Sequence, residues 1–379
     1  MRALVIVLDS VGVGYAPDAK LYDDEGANTL EHLYAANPGF SLPCLERLGL
    51  TAILNLSTQG SAEASYGWME EQSAGKDTTT GHWELAGVIT EEPFSTYAFF
   101  PDDLVRDLEN GTGCHFIGNV AQSGTKIIDQ LGAEHLRAEA LILYTSGDSV
   151  LQIAAHEDVF PRELLYQICL IARDVANRYR IGRVIARPFV GTEGNFKRTS
   201  GRKDFSMVPP PTILSALSRG GVPTYGIGKI SDIFAGEGIN HSYPTESNKE
   251  GMEEIERLWS KVNHGFLFAN LVDFDSLYGH RRDPKGYAKA LLEFDRWLDE
   301  FKQQVMPEDL VIITADHGND PTWKGTDHTR ERVPLIMLHR GQRHCIGLRR
   351  SFTDVASTLT EFFRQPRWDQ GHSFLDLLT

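Results

Sequence analysis

ALVIVLD, residues 3 to 9, is an unbroken apolar run that stops at an acid. It is too short to fill an ordinary helix and is rich in β-branched side chains, so it reads as a buried strand. Four further stretches repeat the design: ALILYT (140 to 145), GRVIARPF (182 to 189), GFLFANLVDFD (265 to 275) and DLVIITADHG (309 to 318). Between them lie segments with apolar residues at helical spacing, such as PRELLYQICLIARDVANRYR (161 to 180) and PKGYAKALLEFDRWLDEFKQQV (284 to 305). Strands alternating with helices predict an α/β fold with a largely parallel sheet.

The chain has 379 residues, well beyond one ordinary compact unit of about 150, so two domains or one domain with an insertion are expected. Composition shifts at EEP (91 to 93) and at MVPPPT (207 to 212), where three prolines favour a stiff extended connection. These crossings predict a discontinuous core, 1 to 92 plus 209 to 379, with an inserted domain at 93 to 208. No internal repeat or low-complexity tract interrupts this plan.

With 37 basic and 52 acidic residues the net charge is -15, which repels nucleic acid and anionic membrane surfaces. An anionic substrate would need local attraction from metal ions or a basic patch. Cys44, Cys114, Cys169 and Cys345 are scattered without C-x-x-C spacing, which fits a reducing compartment. No stretch resembles an export signal or approaches the ~20 apolar residues of a membrane span. The expectation is a cytoplasmic protein with no nucleic-acid or membrane partner, and nothing points to an obligate protein partner.

Candidate chemistry gathers at strand ends, where ligands bind in open α/β sheets. ALVIVL ends in Asp9; NLVDFD ends in Asp275, followed by His280; LVIITA ends in Asp316 and His317, followed by His328 in GTDHT. An Asp closing a strand is often a turn former, but turn formers have no reason to bring histidines with them. These carboxylates and imidazoles could form two metal sites with mixed oxygen and nitrogen ligands, better suited to Mn²⁺, Zn²⁺ or Fe²⁺ than to Ca²⁺. Asp273 shares the predicted strand face with Asp275 by period-two alternation. DSVGVGYAPDA (9 to 19) lacks the last glycine of G-x-G-x-x-G, and no G-x-x-x-x-G-K-[ST] loop occurs, so hydride transfer and P-loop chemistry lose ground.

GKDTTTGHWE (75 to 84) sets three threonines between Asp77 and His82. Its plain reading is a polar loop in which Asp77 or a threonine caps the next helix. Its sharper reading is a nucleophile loop. Taken in order with DSVGVGYAPDA, YTSGDSVLQIAAHE (144 to 157), GRVIARPFVG, GNFKRT (194 to 199), GKISDIFAGEG (228 to 238), LVDFDSLYGHRRD (271 to 283) and TADHGNDPTWKGTDHTRERVPL (314 to 335), it resembles the signatures of the prokaryotic phosphopentomutase family of the alkaline phosphatase superfamily.

The resemblance implies a Rossmann-type core with a mobile inserted α/β cap, and a centre of two Mn²⁺ ions. It implies exchange of phosphate between C5 and C1 of ribose or 2-deoxyribose, with a sugar 1,6- or 1,5-bisphosphate as activator. It assigns Asp9, Asp316 and His317 to one metal, and Asp275, His280 and His328 to the other, selecting Asp275 over Asp273. It selects Thr78 as the phosphate carrier; Thr79 departs from the family's commoner apolar residue. It points to Ser146, Asp148, Arg183 and Arg198 in the insert, with Lys229 from the core, as groups that hold the pentose phosphate. The plain reading of FKRTSGRK (196 to 203) is a solvated basic face. Rival functions are a phosphomonoesterase using the same metals, a phosphoglycerate mutase, whose serine nucleophile this loop lacks, and a non-catalytic metal-binding protein.

Overall fold

The structure, a computed structural model, describes residues 1–55, 62–146 and 149–378. The described chain falls into two compact units, one of Met1–Glu92 with Pro209–Thr379 and one of Pro93–Val208.

The first unit is built on an eight-stranded sheet. Across it the strands run His241–Tyr243, Thr224–Ile227, Gly265–Leu271, Arg2–Leu8, Leu310–Thr314, Val333–Leu338, Ser65–Met69 and Cys345–Arg349. The first five are mutually parallel, as the alternation of strand and helix requires. Only Val333–Leu338 runs against its neighbours. The chain therefore makes a long excursion from 315 to 332 at the carboxyl edge before it re-enters the sheet.

Register does the rest of the positioning. Leu8 pairs with Leu271 and Val7 with Thr314, so the three central strands finish nearly level. From Ala3 to Leu8, Gly265 to Leu271 and Leu310 to Thr314 these central strands are buried throughout, as strands of a parallel sheet are when both faces are covered. Residues leaving these strands enter the molecule's interior at one edge, and those residues are Asp9, the 273 to 280 segment and Asp316.

The GFLFANLVDFD run is not all strand. Its strand ends at Leu271, and Phe274–Gly279 is a helical turn that begins with Asp273 in the right-handed helical region. Period-two alternation thus fails for Asp273 and Asp275, which point different ways. The helices expected at 161 to 180 and 284 to 305 are Arg162–Arg178 and Pro284–Phe301, the second ending in a short 3-10 turn.

The second unit carries a six-stranded sheet in the order Phe116–Ala121, Leu141–Thr145, Val150–His156, Arg183–Val190 and Lys197–Arg198, with Lys203–Ser206 also paired to Arg183–Val190. One face packs Leu141, Leu143, Leu151, Ile153, Val184 and Ala186 against the helices Asp102–Thr112 and Arg162–Arg178. The other face packs Ile142, Tyr144, Ala154 and Phe189 against the helix Gly124–Ala138.

All four cysteines carry free thiols. No helix among the described residues is long and apolar enough to cross a membrane.

Candidate active site

The threonine stretch opens a helix, Thr78–Leu85, and Asp77 is its N-cap: its Oδ1 accepts from Thr79 N at 3.0 Å and Thr80 N at 3.1 Å. Asp77 adopts extended backbone, as cap residues do, and answers two donors that a helix start leaves unpaired. The capping reading of this loop is therefore correct as far as it goes. What the helix presents is the sharper matter. Thr80 Oγ1 turns back to Asp77, 3.0 Å from its carbonyl oxygen. The Thr79 hydroxyl makes no hydrogen bond to a described residue. Thr78 Oγ1 lies 3.1 Å from Nε2 of His317.

The rest of the motif anchors this helix. His82 Nδ1 donates to the Thr78 carbonyl at 2.9 Å and stands 3.0 Å from Asp316 Oδ2. Trp83 Nε1 donates to Ile233 O at 3.1 Å. The buried Glu84 carboxylate takes hydrogen bonds from Ser73 N and Oγ, Ser351 Oγ and Phe352 N. Lys76 Nζ joins Asp24 at 3.0 Å and Asp327 at 3.3 Å, tying the loop to the segment that carries His328. Gly81 lets the helix approach closely, since a Cβ there would sit 2.1 Å from the Asp316 carbonyl oxygen.

Beside Thr78 the strand-end residues converge. Asp9, Asp316 and His317 form one group able to hold a cation, with His317 Nε2 3.5 Å from Asp9 Oδ1 and 3.4 Å from Asp316 Oδ2. Asp275 and His328 form a second with His317, and His280 adjoins it. His280 Nε2 is 3.1 Å from Asp275 Oδ2 and 3.1 Å from His328 Nε2, and His328 Nε2 is 3.3 Å from Asp275 Oδ1.

The donor atoms fit divalent cations. Asp9 is held through Oδ2 by Asn270 Nδ2 at 3.0 Å, and Asp316 through Oδ1 by Ser10 N at 3.0 Å. The other oxygen of Asp9, Oδ1, is buried without a hydrogen bond, and Asp316 Oδ2 faces the His82 and His317 rings at 3.0 and 3.4 Å. Asn319 Nδ2 donates to Asp275 Oδ1 at 2.7 Å. His317 and His280 engage carbonyl oxygens through Nδ1, of Gly318 at 3.0 Å and Thr326 at 2.7 Å, which leaves the Nε2 lone pair for a metal.

Electrostatics point the same way. Burial, with the neighbouring Asp316 and Asp275 carboxylates, pushes Asp9 up to about 7. Burial opposes charge on His317, but Asp316, Asp9 and Asp275 outweigh it and raise its pKa. Burial likewise opposes ionisation of Asp275, yet His328 and His280 hold it well below the usual carboxylate range. Three buried acids at this spacing need cationic company.

Asp273 is occupied elsewhere. Its Oδ2 accepts from Asn248 N and its N donates to Asn248 Oδ1, both at 2.8 Å, a closed pair that fixes the turn. Lys229 stands at the start of the short helix Ile230–Ile233, and its charge reaches both Asp9 and Asp273.

In the second unit, Ser146 follows the strand Leu141–Thr145 and is half-buried. Asp148 lies outside the described residues. Arg198 Nη2 donates to Tyr144 Oη at 3.3 Å, and Arg183 lies 3.8 Å from Asp204. Nothing in the sequence pattern marks Ser10, Asn270 or Asn319, because their contacts join segments distant in the chain. Ser10 has φ 73°, the left-handed region, and this strained backbone carries the N–H that meets Asp316.

A family model described as the metalloenzyme superfamily matches residues 1–366. The phosphopentomutase of Caldanaerobacter subterraneus subsp. tengcongensis is 50% identical over 99% of this chain and 97% of its own length. That of Thermotoga maritima is 47% identical over 100% of both. The chain belongs to the phosphopentomutase family. Solved structures place that family's fold among alkaline-phosphatase-like α/β proteins. Phosphoglycerate mutase of Leishmania mexicana aligns with TM-score 0.50 at 11% identity, over 98% of this chain and 97% of its own. A protein of Pyrococcus horikoshii aligns with TM-score 0.51 at 14% identity, over 96% and 97%. Metal dependence goes with the superfamily, and the two groups around His317 are the residues that fit it.

Proposed function

We propose that this chain is a phosphopentomutase that interconverts ribose 1-phosphate and ribose 5-phosphate, and the 2-deoxyribose phosphates, through a phosphothreonine at Thr78. The observation that carries this reading is the Thr78 hydroxyl at 3.1 Å from His317 Nε2, beside both candidate ligand groups. The full-length identity to phosphopentomutases supplies the substrate class.

In this reading Asp9, Asp316 and His317 hold one divalent cation, and Asp275, His280 and His328 the other. The two cations, manganese by resemblance, would stabilise the Thr78 alkoxide and the charge on the transferring phosphoryl group. Asp77 and His82 hold the first helical turn so that Thr78 Oγ1 keeps one position. The free hydroxyl of a sugar monophosphate attacks the phosphothreonine; the bond from phosphorus to Oγ1 breaks as the bond to the sugar oxygen forms. Thr78 regains a proton and the sugar becomes a 1,5-bisphosphate. Return of its other phosphate to Thr78 completes the exchange. Ser146, Arg183 and Arg198, with Lys229, would hold the phosphate that is not transferring; Arg is suited to this by its planar fork of donors. A sugar bisphosphate would charge Thr78 for the first turnover.

Intact mass of the manganese-loaded protein before and after ribose 1,5-bisphosphate tests the reading. One added phosphate mapped to Thr78, with ribose 5-phosphate as the main product from ribose 1-phosphate, is expected. Release mainly of inorganic phosphate would make the enzyme a phosphatase. Absence of any label would remove the phosphothreonine.

A further inference from the structure

The second unit holds an arginine that the sequence pattern did not single out. Arg187 lies on the strand Arg183–Val190, two residues from Phe189, and period-two geometry puts Arg183, Arg187 and Phe189 on one face. Phe189 is paired with Arg198, Ala154 with Arg187, and Tyr144 with Gln152, so these side chains share that face. The helix Gly124–Ala138 covers its apolar part over the strands to one side. Arg187 emerges beyond the apolar patch, half-buried.

Its partners are the informative part. Arg187 Nε donates to Gln152 Oε1 at 3.0 Å, and Arg187 makes no ion pair among the described residues. Arg198 likewise engages only a neutral group there, Tyr144 Oη at 3.3 Å. By contrast Arg202 takes Asp204 with two hydrogen bonds of 2.8 and 2.7 Å, and Arg183 approaches the same carboxylate at 3.8 Å. Neither Arg187 nor Arg198 thus makes an ion pair among the described residues, in a chain with 52 acidic and 37 basic residues. Burial first, then the Arg202 and Arg198 charges, lower the pKa of Arg187 against opposing pulls from Tyr144 and Asp204. Burial keeps the Tyr144 phenol protonated, so its O–H remains a donor. Gly124 completes the cradle, since a Cβ there would collide with the Arg198 guanidinium and the Tyr144 hydroxyl.

We propose that Arg187, with Arg198 and the Tyr144 hydroxyl, grips the non-transferring phosphate of the sugar and is a specificity-determining residue of this enzyme. The proposal rests on the mutase reading for the identity of the sugar phosphate. Two planar forks and a phenol offer a phosphate dianion several charge-assisted hydrogen bonds, and the anion relieves the repulsion between the arginines. Arg183, 3.8 Å from Asp204, lies on the same strand face.

The experiment measures the Kd of ribose 5-phosphate by calorimetry, and isomerisation kinetics, for manganese-loaded wild type, Arg187→Ala, Arg187→Lys and the exposed control Lys197→Ala. Arg187→Ala should raise Kd and KM by roughly 10- to 100-fold, the range for losing hydrogen bonds to a charged group, while changing kcat far less. Arg187→Lys should recover only part of this, because a point charge cannot replace the fork. Lys197→Ala should match wild type. Metal content and the unfolding midpoint check that the variants fold. A wild type that isomerises with an unchanged Kd in both Arg187 variants overturns the proposal. A wild type that binds ribose 5-phosphate through Arg187 yet does not isomerise it keeps the proposal and overturns the mutase reading. A loss in Lys197→Ala equal to that in Arg187→Ala reduces the effect to general surface charge and overturns the proposal.

Discussion

Thr78 Oγ1 and His317 Nε2 are 3.1 Å apart although 239 residues separate them in the chain. One is the first residue of a helix and the other leaves a central strand, and no described residue holds the Thr79 hydroxyl in a comparable place. Thr78→Ala should therefore lower turnover by roughly a thousandfold or more and abolish phosphate labelling, with metal content nearly unchanged. Thr79→Ala should retain both. Labelling of the Thr78→Ala protein at Thr79 would show that the two hydroxyls are interchangeable.

The amides that hold the carboxylates should matter nearly as much as the carboxylates. Asn270→Ala releases Asp9 Oδ2, and Asn319→Ala releases Asp275 Oδ1. Each should weaken manganese affinity roughly 10- to 100-fold, as loss of such supporting bonds does. Titration of the metal-free protein with Mn²⁺ reads this directly.

Asp273 and Asp275 make a sharper comparison. Asp275→Asn should empty one metal position, because His280 and His328 face that carboxylate. Asp273→Asn should keep full metal content and cost only part of the bond to Asn248 N, about 1 kcal/mol of stability. Metal analysis and denaturant unfolding of the two variants separate the roles.

Gly81→Ala tests the close approach of the threonine helix. A methyl group 2.1 Å from the Asp316 carbonyl oxygen must push helix and ligand apart. The expected loss is about 1–3 kcal/mol of stability, typical of overpacking, with a disproportionate fall in kcat because Thr78 moves with the helix. A fall in stability with kcat intact would mean that the helix adjusts without moving its first turn.

Metal binding should depend on pH with a definite sign. A cation takes Asp9 ionised and His317 neutral, while Asp9 is pushed up to about 7 and the His317 pKa is also raised. Protons therefore compete more strongly as pH falls, and apparent affinity for Mn²⁺ should drop by up to about tenfold per unit for each proton displaced below that range. Above it the Asp9 contribution levels off. Asp9→Asn should flatten the slope; an unchanged slope would assign the competing proton to another group.

The sequence by itself determined five of the strands and the positions of the acids at their ends, because apolar runs and turn-forming acids act locally, and its prolines gave the expectation of two crossings at residues 91 to 93 and 207 to 212. It brought Asp9, Asp275, Asp316 and the histidines into one hypothesis, because parallel strands in register must deliver their carboxyl ends to one edge. It misjudged Asp273, because alternation holds only while the chain stays extended, and here the backbone turns helical at that residue. The resemblance selected Thr78 among the three hydroxyls, but only tertiary structure shows it against His317, since that contact depends on the rotation of a capped helix packed through Gly81, His82 and Glu84. Tertiary structure alone revealed Ser10, Asn270, Asn319 and Arg187, whose meaning lies in the groups across from them. A carboxylate oxygen buried without a hydrogen bond, or an arginine with no ion pair among the described residues, is a property of neighbours in space, and sequence order does not record it.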